Sequence, residues 1–146
     1  MPTAALIAST PPPAPSRVRW LALLLIALLL GACTTTGDLM DDLNTSLRAY
    51  EKAIRWAQYD AAYSYHKWED AAPTSLPADI ENFRVTHYET FGEKFNEKDM
   101  VMKQSIRLRY YHTETQREKS LRHEQEWKYY PESKRWFLIS PPITFE

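Results

Sequence analysis

The chain has 146 residues, 18 Lys and Arg against 19 Asp and Glu, a formal net charge of −1 and a mean hydropathy of −0.53. One ordinary domain fits that length, and the composition is globular rather than disordered or polytopic. No G-x-G-x-x-G or P-loop occurs among the three glycines, the single cysteine excludes an internal disulfide and a thiolate metal cluster, and near-neutral charge argues against a nucleic-acid-binding protein.

The first 32 residues differ from the rest: they contain no Asp, Glu or Lys, and half of the ten prolines. Met1–Ser16 is small, apolar and proline-rich. Arg17 and Arg19 follow, then an apolar run from Trp20 to Ala32. A positive region, a short apolar run and small residues at its end make a secretory signal. The run is too short for a spanning helix, which needs about 20 residues.

The tetrapeptide Leu30-Gly31-Ala32-Cys33 closes this run. It resembles the lipobox of bacterial lipoproteins at all four positions. The resemblance implies cleavage between Ala32 and Cys33, a diacylglycerol on the Cys33 sulfur and acylation of the new amine. Two or more acyl chains hold a protein to a membrane without a spanning helix. Thr34 rather than Asp follows the cysteine, so the enterobacterial inner-membrane retention signal is missing. The expected location is therefore the periplasmic face of the outer membrane. Loss of residues 1–32 takes away Arg17 and Arg19 and no acid, so the net charge moves from −1 to −3. Residues 33–41 are expected to form the lipidated cysteine and a polar tether, and 42–146 the domain.

A long helix is predicted from Asp41 or Asp42, where acidic residues suit a helix N-terminus. Leu43, Leu47, Tyr50, Ile54, Ala57 and Ala61 recur at helical spacing on one face. No Gly or Pro interrupts until Pro73, so the helix is expected to run close to it, with Trp56, Tyr59, Tyr63, Tyr65 and Trp68 widening its apolar coat. Ala71–Ala78 reads as a loop, and Ile80–Phe83 as a helical turn or strand entry. Arg84–Phe91 carries β-formers, and Gly92–Asp99 is turn-like. From Met100 to Tyr110 the alternation is clear: Met100, Met102, Ile106, Leu108 and Tyr110 share one face, with Gln104 the polar exception. Leu121, His123, Gln125, Trp127 and Tyr129 repeat the pattern, and Trp136–Ser140 is a last strand stopped by Pro141 and Pro142. The fold class is α+β, one long helix packed on a curved antiparallel sheet of about four strands.

This element order, the aromatic helix Arg48–Tyr65 and the ending Trp127-Lys128-Tyr129…Lys134-Arg135-Trp136 resemble the nuclear-transport-factor-2-like fold over residues 42–146. In that fold a helix crosses a cone-shaped sheet; the cystatin-like topology is the neighbouring alternative. Short bacterial lipoproteins of unknown function have a similar helix and ending. The resemblance implies a fold and no reaction.

His66, His87, His112 and His123 show no metal-ligand spacing, so no metal is expected, and no cofactor. His123, Gln125 and Gln104 fall on the apolar phase, where they either meet a ligand or satisfy one another in the core. Trp56, Tyr59, Tyr63, Tyr110, His123, Gln125 and Trp127 are the residues that would line an open cone. Asp60 is imaginable as a base acting with His123, but its helix phase places it off the apolar stripe. The outer strand face carries Lys103, Arg107, Arg109, Arg122, Glu124, Glu126 and Lys128, which cross-strand ion pairs explain. No nucleophile motif is present, so catalysis is not expected. The expected role is a lipid-anchored binding or assembly module with an envelope protein partner. The alternative is a carrier or enzyme using the cone interior.

Overall fold

The computed structural model describes residues 36–68, 73 and 75–146. The apolar run, Ala32, Cys33 and the polar stretch to Thr35 lie outside these residues. So do 69–72 and 74, among them 71, 72 and 74 of the expected loop.

Helix α1 spans Thr36–Arg55, five residues earlier than Asp41. Asp38 in its first turn and Lys52 and Arg55 in its last complement the helix dipole. Leu43, Tyr50 and Ile54 of the expected stripe are buried, with Ala53 beside them; Leu47 and Ala57 are partly buried, and Ala61, beyond the end of the helix, is exposed. The Glu51–Arg55 pair, 3.5 Å apart and half exposed, contributes little.

The expected continuation toward Pro73 does not form. Ala57 takes a left-handed φ of 53° and ends the helix, with the Gln58 amide donating to the Ala53 carbonyl at 2.8 Å. A second short helix, α2, covers Tyr59–Tyr63. The break has a packing reason. In an unbroken helix Tyr59 would lie off the apolar stripe, whereas the turn re-phases the chain and buries both Tyr59 and Ala62. Residues Tyr65–Lys67 then run beside the last strand, bonded through Leu138 N–H to the Tyr65 carbonyl (2.8 Å) and Lys67 N–H to the Leu138 carbonyl (2.9 Å). That parallel bridge has no signature in the sequence.

After a 3-10 turn at Ile80–Asn82, strands β1 (Phe83–Asn96), β2 (Val101–His112), β3 (Glu118–Tyr130) and β4 (Arg135–Leu138) form one antiparallel sheet in that order. This is the predicted meander. Strand β1 extends beyond Phe91 through a register shift that the positive φ of Gly92 (65°) accommodates, so the turn shrinks to Glu97–Met100. Strand β4 ends before Pro141 and Pro142, which have no amide to donate.

The inner face of the sheet carries Met102, Ile106, Leu108, Tyr110, Trp127, Trp136 and Leu138, all buried against α1 and α2. The Trp136 indole N–H donates to the Leu39 carbonyl at 3.1 Å and ties β4 to the first turns of α1. The C-terminal residues close one end of this core. Ile143 is buried, and Phe145 stacks on Phe83 with centroids 5.3 Å apart. No helix among the described residues is long and apolar enough to cross a membrane.

Trp127 is fully buried and meets the ring of Tyr50 edge-on at 5.5 Å. Trp127→Ala is expected to cost about 3–5 kcal/mol, read by chemical denaturation as a lower midpoint with an unchanged slope.

Candidate functional site

The seven residues expected to line one open cone are distributed among separate places. Trp56 is 72% exposed, because its place two residues after Ile54 puts it on the side of the helix opposite the buried stripe; it lines nothing in the interior. Tyr59 is buried, its hydroxyl donating to the Phe83 carbonyl at 2.9 Å. Tyr63 borders two surface cavities. One, of about 340 Å³, includes Asp60, Ser64, His66 and Trp68, and the other, of about 280 Å³, lies against Phe83 and Phe145. Tyr110 and His123 share a groove of about 730 Å³ along the Pro141–Glu146 tail. Gln125 and Trp127 are core residues. The centre of the expected cone is thus filled by side chains. Asp60 shares a cavity with His66 and not with His123.

Gln125 is the hub of the interior. Its Oε1 accepts from Gln104 Nε2 (2.7 Å), the Trp127 indole N–H (3.3 Å) and the Tyr88 hydroxyl (3.5 Å). Three donors around one oxygen fix the orientation of the amide. Gln104 and Gln125 face each other in the β2–β3 register, so the polar exception in each strand satisfies the other. Tyr88 joins from β1, opposite Leu108 in the β1–β2 register. Burial pushes the Tyr88 hydroxyl above its ordinary range.

Among the described residues, three buried nitrogens have no partner: Gln125 Nε2, His66 Nε2 and His123 Nε2. Burial pushes the His66 imidazole down to about 4; the Ser140 carbonyl partly offsets this, and His123 adds to it. Burial also lowers His123, against the Pro141 carbonyl and the Glu124 charge. Both rings are therefore neutral near pH 7. Among the described residues no three His, Cys, Asp or Glu side chains gather as a metal site.

The opposite face of the sheet is unlike the inner one. Strand β1 contributes Arg84 and Lys94, β2 Lys103, Arg107 and Arg109, β3 Arg122 and Lys128, and β4 Arg135; Lys67 extends the row past the β4 edge. The carboxylates on this face are Glu89, Glu118, Glu124 and Glu126. Ion pairs account for part of it: Lys103–Glu126 (3.0 Å), Arg107–Glu89 (3.0 Å) and Arg109–Glu118 (3.8 Å). The remaining cations lack a carboxylate partner among the described residues. Several lie over rings instead. Lys67 Nζ is 4.8 Å from the Tyr130 centroid and 5.3 Å from that of Phe137, and the Arg135 guanidinium is 5.2 Å from Phe137. Arg122 lies over Phe91 at 5.5 Å, and the ion-paired Arg107 lies over the same ring at 5.4 Å.

Gln125→Met removes the acceptor that three buried donors share. The expected loss is about 2–4 kcal/mol of unfolding free energy, and Gln104→Leu/Gln125→Met is expected to recover part of it in a double-mutant cycle. For His66, the folded form holds its proton less tightly than the unfolded chain. Stability contributed by the neutral ring is present above about pH 6.5 and is lost as pH falls toward about 4. His66→Phe is expected to flatten the fall in thermal midpoint across that window relative to the parent chain.

Comparison with protein-family models, with curated proteins and with solved structures gives no match to this chain.

Proposed function

We propose that this protein is a lipid-anchored lipoprotein of a bacterial envelope whose folded domain works as a binding or assembly module, without catalysis. The observation that carries this reading is the run Leu21–Leu30 ending in Gly31-Ala32-Cys33, with Cys33 the only cysteine in the chain. A thiol placed there has one evident use, as the attachment point for lipid, and the acyl chains replace a spanning helix. Thr34 after the cysteine favours the periplasmic face of the outer membrane. At the finer level of fold, a helix crossing a curved four-stranded meander accords with a reduced nuclear-transport-factor-2-like cone, and the cystatin-like topology accords with the same element order.

The packed interior supports a binding module over an enzyme: the residues meant to meet in one pocket are spread over the core and three surface cavities. A second reading, an anchored small-molecule carrier, draws support from the three buried nitrogens without a partner. Native mass spectrometry separates the two. A small molecule retained by the purified protein would favour the carrier.

Cys33→Ser is expected to accumulate as the unprocessed precursor, whereas the parent chain is cleaved before residue 33 and gains the mass of its acyl groups. Normal maturation and membrane retention of the Ser variant would refute the lipoprotein reading.

A further inference from the structure

Two cross-strand pairs on the outer face join like charges. Lys94 stands opposite Lys103, and Arg107 opposite Arg122. Like charges directly opposed on a sheet are destabilising, and neither pair is needed for the core, since all four side chains point away from it. Around them lie nine cations against four carboxylates, on a chain that is acidic elsewhere and nets −3 once residues 1–32 are removed. The positive charge is therefore segregated onto one face. Asp38, Asp41 and Asp42 are exposed on α1, in the other layer of the domain. Phe91, Tyr130 and Phe137 sit between the cations, only partly buried.

We propose that this outer sheet face docks on the anionic phospholipid headgroups of the bilayer that carries the anchor. The proposal rests on the reading of Cys33 as lipidated. Charge complementarity is the first argument. Phosphodiester headgroups would relieve both like-charge pairs, and Tyr and Phe among Lys and Arg suit a membrane interface. The second argument is reach. Helix α1 begins at Thr36, so only Thr34 and Thr35 separate it from Cys33, and three residues extend at most about 10 Å. The domain cannot stand off from the lipid surface. The Trp136–Leu39 hydrogen bond (3.1 Å) ties the β4 edge of the sheet to the first turns of the same helix, with Arg135 and Phe137 on the face of β4 turned away from it.

The test uses the full chain as the cell processes it. Because acylation consumes Cys33, a cysteine introduced at Ser120 on the outer face, or at Thr45 on the exposed side of α1, is the only free thiol. Each is given a fluorescent donor, and the protein is placed in vesicles bearing a headgroup-linked acceptor. The vesicles are either phosphatidylcholine alone or phosphatidylcholine with phosphatidylglycerol. Energy transfer is expected to be stronger from position 120 than from 45 in the anionic vesicles. The contrast should vanish in the neutral ones and in high salt.

Lys94→Glu/Arg122→Glu/Lys128→Glu is expected to lower the docked-to-free ratio by about 100-fold. It should leave the unfolding midpoint unchanged or higher, because two repulsive pairs become attractive ones. A merely structural role for these cations predicts the reverse pattern. Equal transfer from both positions in anionic and neutral vesicles, with Cys33 acylated by mass, overturns the docking. So does an acidic protein that the parent chain retains and the triple variant loses while the contrast is absent. An unmodified Cys33 overturns the anchor reading separately. Flotation of that unanchored chain, with equal recovery on anionic and neutral vesicles, would then overturn the docking as well.

Discussion

The fold depends on one condition at the middle of strand β3: the inner face must be sealed around the amide of Gln125. Its oxygen gathers donors from β1, β2 and β3, and Trp127 beside it closes the space against Tyr50 of α1 and Tyr65 after α2, at 5.5 and 6.0 Å. A buried acceptor with three donors is worth more than its separate bonds, because each donor left alone in a low-dielectric interior bears its full desolvation cost. The apolar layers on either side, Ile106 and Leu108 on β2 and Leu43 and Ile54 on α1, exclude the water that would otherwise satisfy those groups. Sheet register, helix placement and the re-phasing at Ala57 are all consistent with this one requirement.

That sealed interior moves attention to the outer face. On the inner face Gln104 and Gln125 pair through the register, and Lys119 at its end donates to the Glu146 carbonyl. The outer face tolerates Lys against Lys and Arg against Arg. Lys103 and Arg107 each have a carboxylate at 3.0 Å, whereas Lys94 and Arg122 have none among the described residues. That surplus of positive charge on one surface is what the proposed docking on anionic headgroups would use.

The strands were legible because period-two alternation survives even where polar residues interrupt it. Gln104 and Gln125 stood out as exceptions, and the register shows them answering each other. Tyr88 reads from the sequence as a packing aromatic on a strand, and its hydroxyl contact depends on a partner two strands away. The end of α1 was illegible for a different reason. Ala57 is a strong helix former, and its left-handed conformation is imposed by the burial of Tyr59 and Ala62, a tertiary effect that overrides propensity. Trp56 has a different reason for lying outside the interior: two residues on from Ile54, it falls on the opposite side of the helix. The charges of the outer face were visible in the sequence, and ion pairs were the natural explanation. Only the β2–β3 register, set by the length of the Thr113–Arg117 turn, reveals that Arg107 meets Arg122. The parallel run of Tyr65–Lys67 beside Leu138 had no local pattern to announce it.

Amide hydrogen exchange, resolved residue by residue, tests the sealed interior most directly. Amides of Gln104–Leu108 and His123–Trp127 are expected to exchange last and together, through global unfolding alone, with those of α2 and the tail from Ile143 to Glu146 exchanging earlier by local opening. Exchange of the Gln125 and Trp127 amides at the rate of the tail would contradict it, because water would then be reaching the amide around which the fold is described as closed.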